Sequence, residues 1–223
     1  MRRNVFDAYI RKWPQIGALL AMAMGGGSVL AASRKKPIDL RTLAVMNSVT
    51  MAAHQVEEYV DPGYFPGQVN AGIFKSDHPR TYPFNARSAA IANSSFTLLY
   101  LAPVVFPKTK WLGLPAAILG IGQAVAHWII MPIRVRTTYA PGGFNAILLQ
   151  VPIAIAYFRA VRAQGPIERS DWAKSAAVGA VFMIVGVAAP HVLGLDKNSP
   201  YAFSDKQMGS YLKSTDADQQ EHG

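Results

Sequence analysis

The chain has no cysteine among its 223 residues, which removes disulfides, thiolate metal sites, iron–sulfur clusters and cysteine nucleophiles together. It is also poor in charge. Asp, Glu, Lys and Arg make up 16% of it, against 51% hydrophobic residues and a mean hydropathy of +0.15, a balance unlike that of an ordinary soluble domain. Acids are the scarcer sign, 13 against 22 Lys and Arg, yet the resulting charge of +9 does not point to nucleic acid. The basic residues fall in short connections between apolar stretches, with no basic helix carrying interleaved aromatics, and membrane-surface anchoring accounts for them. Also missing are an internal repeat, a nucleophile-elbow pattern around Ser94 or Ser95, and the His-Glu-x-x-His zincin signature.

What is present is a series of six apolar stretches, near residues 16–33, 40–60, 86–106, 112–133, 144–161 and 172–193. Each approaches the roughly 20 residues that cross about 30 Å of hydrocarbon as a helix. The expected fold is all-α, a polytopic transmembrane helix bundle of about six spans over residues 1–195, followed by a polar, partly disordered tail over 196–223. The expected location is a membrane, the bacterial inner membrane. Arg2, Arg3, Arg11 and Lys12 precede the first stretch and Ala31-Ala32-Ser33 close it, so a cleavable signal peptide competes with a retained span. The Gly25-Gly26-Gly27 run favours the retained helix, because small residues let helices pack closely. Lys and Arg divide almost evenly between the two sides and leave orientation open. The one long connection, residues 63–85, is rich in Pro, Gly, Tyr and Phe, the kind of segment that forms a lid or lies in the interface.

Of the 13 acids, only Glu57 and Glu58 fall inside an expected span, three and four positions after His54. Ionisable groups at bilayer depth are costly unless paired, metal-bound or facing a cavity, so they mark a site by default. At about 100° per residue both acids flank the imidazole on one helix face. Counting residues from one membrane face puts His54, Asn93 and His127 at a common level, roughly 9–10 Å below the boundary, with Glu57 and Glu58 one turn nearer the surface. His191 ends the sixth stretch on the same face, and His78 lies in the long connection above it.

Two imidazoles from different helices and one carboxylate make a three-ligand set with an open position, suited to a divalent metal such as zinc and an activated water. His54, His127 and either Glu57 or Glu58 supply that set, and the remaining acid is then available as a general base. Ferritin-type di-iron chemistry, which uses about four carboxylates, is less well supplied. Asn93, Gln123, His78 and His191 are candidates for a surrounding shell. Tyr139, before the Pro141-Gly142 turn, could turn its hydroxyl toward the site, and Arg134 and Arg136 could bind a lipid phosphate or a substrate carboxylate.

Three motifs in order, His54-Gln55-Val56-Glu57-Glu58, Gln123-x-x-x-His127 and Tyr139-Ala140-Pro141-Gly142, resemble those of the HXXEE-domain membrane proteins. That family carries His-x-x-Glu-Glu, Asn-x-x-x-His and Tyr-Asn-Pro-Gly; here Gln123 and Ala140 stand where it has Asn. The likeness runs over about residues 40–157. It implies one site built from His54, Glu57, Glu58 and His127, and it supplies no reaction.

The function expected from these features is a metal-dependent membrane enzyme, a hydrolase acting on a lipid or other hydrophobic substrate. Two alternatives stand beside it. One is a proton-coupled transporter with Glu57 and Glu58 as its protonation switch. The other is a structural subunit of a larger membrane complex. The expected partners are membrane lipid, the hydrophobic substrate, and a second copy or a membrane-complex subunit.

Overall fold

A computed structural model describes residues 5–34 and 38–212. Among these residues every regular element is helical: α1 (Val5–Arg34), α2 (Leu40–Tyr59), a short α3 (Phe65–Gly67) that runs on through wide turns at Gln68–Ile73, α4 (Ala86–Val105), α5 (Lys110–Val135), α6 (Gly143–Ala163), α7 (Arg169–Leu193) and α8 (Asp205–Met208). Local chemistry explains several starts. Asp39 caps α2 by accepting from the Thr42 N–H at 2.8 Å, and Asn85 with Ser88 forms a capping box on α4.

Long helices stand at all six apolar stretches, and among the described residues α4, α5, α6 and α7 are long and apolar enough to cross a membrane. The protein is therefore a helical membrane protein with four such helices among the described residues. α2 differs for a visible reason: it buries Asn47, Thr50, His54, Gln55, Glu57 and Glu58 at the centre of the bundle, packed against α1, α4, α5 and α6.

α5, α6 and α7 each contain a π-helical stretch, at Ala126–Ile130, Ala146–Gln150 and Phe182–Ala188. Each ends two residues before a proline: Pro132, Pro152 and Pro190. A helical proline has no N–H and its ring pushes away the carbonyl four residues back. Those carbonyls belong to Trp128, Leu148 and Gly186, all inside the widened turns.

The long connection at 63–85 is folded over one end of the bundle. Asn70 pins it, its amide donating to the Pro79 carbonyl at 2.7 Å and the Phe84 carbonyl at 2.8 Å while its own oxygen accepts from the Phe84 N–H. Residues 196–212, the first part of the expected polar tail, pack onto this cover instead of extending into solvent. Phe203 and Met208 are buried, the Phe203 N–H donates to Arg80, and Arg80 pairs with Asp205 at 2.5 Å. A side chain at Gly67 would collide with the Met208 backbone, so the latch needs a glycine there. The remainder of the expected tail lies outside the described residues.

Candidate metal centre

His54 and Glu58 leave α2 one turn apart, and the imidazole lies 3.5 Å (Nε2 to Oε1) from the carboxylate. His127 reaches the same oxygen from α5 at 3.3 Å, and it does so from within the π-helical turn that Pro132 imposes. The two rings stand edge to face, 4.8 Å between centroids. All three side chains are buried, His54 at 0% exposure, His127 at 2% and Glu58 at 5%. Phe65 of α3 lies 5.3 Å from the His127 ring and covers it from the loop side.

The protonation pattern follows from the partners. His54 Nδ1 sits 2.8 Å from the Gly142 carbonyl, which can only accept, so Nδ1 carries the hydrogen. A neutral His54 then presents the Nε2 lone pair to a carboxylate oxygen, and Nε2 has no hydrogen-bond donor of its own. Two electron-rich atoms face each other in a buried place, which requires a cation between them or a proton on the ring or on the carboxyl. Spacing speaks to the choice. A direct charge-assisted bond would close to about 2.7–2.9 Å, whereas zinc at about 2.0–2.2 Å from each of its ligands holds neighbouring ligand atoms about 3.3–3.5 Å apart in a tetrahedron. One donor atom from each of His54, Glu58 and His127 lies within 4.8 Å of the others. An imidazole fixed through its far nitrogen by a backbone carbonyl is also how metal-binding histidines are usually oriented. The residues fit a divalent metal.

Glu57 is turned the other way. Its Oε1 accepts from the Tyr139 hydroxyl at 2.5 Å and the Phe144 N–H at 3.1 Å; its Oε2 accepts from the Asn145 N–H at 2.8 Å and the Asn145 amide at 2.6 Å. These four bonds fill the roughly four lone-pair sites of a carboxylate. The two N–H groups are free because they begin α6, where the helix dipole also favours a negative charge. Burial, and next the bond to Glu57, raise the Tyr139 phenol well above its ordinary value, so it stays a donor. Glu57 therefore holds the start of α6, and with it the turn whose Gly142 carbonyl orients His54. Gly142 adopts φ +103, and a Cβ there would lie 2.6 Å from His54 Cε1 and 2.8 Å from His127 Cε1. Only glycine fits between the two rings.

The structure brings His54, Glu58 and His127 into one cluster and sets Glu57 beside it in a different role. Asn93 is one layer away, donating to the Tyr59 hydroxyl at 3.3 Å and accepting from Gln55 at 3.2 Å through its backbone oxygen. Gln123 is half-buried one turn before His127. Tyr139 acts through Glu57, and its carbonyl accepts from Gln68. Arg134 and Arg136 are exposed where α5 ends. His78 is half-exposed beside Asp77, and His191 stacks on Phe84 at 3.9 Å and bonds Ser88 at 3.0 Å; both are outside the cluster. Sequence reasoning missed Gly142 and Asn145 as site residues. The Pro-Gly-Gly turn ahead of an apolar helix was the available signal, since it forecasts a positive φ and a set of free N–H groups close to two buried acids.

Neither the curated proteins nor the solved structures include a match to this chain. One family model does match, that of proteins of unknown function with an HXXEE motif, over residues 45–157. That stretch covers just over half of the 223 residues, and it holds every side chain of the cluster, the Gly142 carbonyl and the Glu57 anchor. The chain belongs to the family with the HXXEE motif.

Proposed function

We infer that the chain is a metal-dependent integral membrane enzyme, a hydrolase of the bacterial inner membrane acting on a lipid or another hydrophobic substrate. His54, Glu58 and His127 hold the metal. The observation that carries this reading is the His54 ring, whose Nδ1 is committed to Gly142 while its Nε2 faces the Glu58 carboxylate at 3.5 Å with His127 alongside. Two imidazoles and one carboxylate leave a coordination position open, and a divalent metal bound there acidifies a water. Glu57 is a positioning residue in this reading, because its acceptor sites are already filled. A groove of about 540 Å³ between α1, α2 and α6 supports a hydrophobic substrate. Its walls are Ala18, Ala21, Met22, Val49 and Val56, and its polar end is Glu57 and Asp61 with Asn145, Glu57 being one residue along α2 from Glu58.

Metal analysis of the purified full chain tests the reading. One divalent ion per chain is expected, lost in His54→Ala, Glu58→Gln and His127→Ala and kept in Glu57→Gln. Absence of stoichiometric metal, or metal unchanged in the first three variants, overturns it. In that event a proton shared among His54, Glu58 and His127 accounts for the same facing atoms, and the proton-coupled carrier becomes the better reading.

A further inference from the structure

Away from the His/Glu cluster, a chamber of about 510 Å³ opens where the start of α1, the end of α2 and the C-terminal segment meet. Arg11 and Lys12 enter it from α1 and Lys206 from α8, and its lining contains no carboxylate. All three cations are exposed. Of the acids nearest in sequence, Asp205 pairs with Arg80 and Glu58 faces His54 and His127, Asp61 is exposed just past Val60, and Asp7 accepts from the hydroxyl of the lining residue Tyr201 at the chamber's edge. Arg87, next to the lining residue Ala86, lies near enough to Tyr201, with Arg11, to act on its hydroxyl. The remaining walls are aromatic: Trp13 and Tyr59, edge to face at 5.0 Å, and Phe203.

A concentration of like charge in a concave site raises the local potential and draws an anion. The setting decides what kind. The chamber lies at the level where α1 passes from Arg11 and Lys12 to its apolar run, with Ile16, Leu19 and Leu20 exposed just beyond. Farther along α1 and α2 is a separate apolar slot of about 110 Å³ lined by Leu20, Ala21, Val49, Ala52, Thr97 and Leu101, among others. Aromatic and basic residues over an apolar cleft are the arrangement that holds an interfacial headgroup. We propose that this chamber binds the phosphate of an anionic membrane phospholipid, with an acyl chain running toward the α1–α2–α4 slot. The inference does not depend on the metal reading. It does place the lipid near the cluster, because Phe65 packs on Tyr59 at 6.0 Å and on His127 at 5.3 Å, one ring between chamber and centre.

Native mass spectrometry of the full-length protein released from detergent with added phosphatidylglycerol or phosphatidylcholine tests this. The wild type is expected to retain phosphatidylglycerol at least about tenfold more strongly. The triple variant Arg11→Gln/Lys12→Gln/Lys206→Gln is expected to lose most of that preference, since each cation near a headgroup contributes about fivefold in affinity. A control triple at the opposite end, Lys108→Gln/Arg169→Gln/Lys174→Gln, should keep it. Equal retention by wild type and the chamber variant, or equal loss in the control, overturns the proposal and leaves only diffuse interfacial charge. Displacement by millimolar inorganic phosphate would assign the chamber to a soluble anion instead. Should the triple variant not fold, Lys206→Gln alone and Lys12→Gln alone each carry the same expectation at about fivefold.

Discussion

α2 and α7 are long helices of one bundle, yet they treat polarity in opposite ways. α7 is the more apolar, with mean hydropathy 2.1 over its best window, and it turns Ile184, Val185 and Leu193 outward. α2 is too polar to qualify as a span and keeps His54, Gln55, Glu57 and Glu58 inside. In water the reverse would hold. Where lipid is the solvent, apolar surface costs little to expose, and the bundle interior is the only place where buried polar groups find partners. α2 thus carries buried polar groups into the bundle's interior, and the adjacent acids Glu57 and Glu58 divide the labour within it. One closes a helix start, and the other faces two imidazoles.

The sharpest test of this contrast is Gly142→Ala. The added methyl enters the space between His54 and His127 from a backbone at φ +103. Overpacking and left-handed strain together should cost about 3 kcal/mol and abolish the metal binding proposed for the centre, seen as a lower melting temperature and an empty elemental analysis. Full metal content with an unchanged melting temperature would mean that the turn does not set the centre.

Glu57→Gln should follow at about 2 kcal/mol. Whichever carboxylate oxygen the new amide nitrogen replaces, its N–H donors face either the Phe144 N–H or the Asn145 N–H that now donates to that oxygen. Metal should be retained, with slower turnover of any substrate found, since only the placement of Gly142 is loosened. Loss of metal equal to that in Glu58→Gln would erase the distinction between the two acids.

Much of this arrangement was legible in the chain. Apolar length marked the positions of six helices, and counting depth from a common face aligned His54 with His127. The division between Glu57 and Glu58 was not legible. Consecutive residues are about 100° apart on a helix, close enough for both to share a face with His54, and only the tertiary position of the α6 start decides which turns away. The π-helical turns were hidden for a related reason. Pro132, Pro152 and Pro190 advertise a distortion, but whether it becomes a break, a kink or a widened turn depends on the packing around it. The folded 196–212 segment was obscured because Tyr201-Ala202-Phe203 and Met208 are short apolar islands among polar residues, and their burial depends on a cover that the sequence does not display.

A smaller effect is expected where the cover meets the latch. Lys197 donates to Asp77 at 2.6 Å, and that bond holds the Asp77 carboxyl below its ordinary value. A depressed folded value means that the contribution is present above the unfolded aspartate range, about pH 4, and is lost as pH falls through the lower folded value. Wild type should therefore melt slightly above Asp77→Asn near neutral pH, and the two curves should converge in acid. A difference that persists below about pH 2 would assign the effect to something other than this ion pair.

The smallest effect belongs to α7. Ile184→Ala and Val185→Ala remove apolar atoms that face outward, where lipid or detergent offers nearly the same contacts as the lost methyl groups, so each should change stability by no more than about 0.5 kcal/mol. A truncation of the same kind in a protein core would cost several times more. Denaturation in mixed micelles gives the value directly. If either substitution costs about 2 kcal/mol, the outer face of α7 is packed against protein and not against lipid, and a second copy or another subunit covers it. The contrast with α2 would then concern which partner each helix buries against, and no longer whether it is buried.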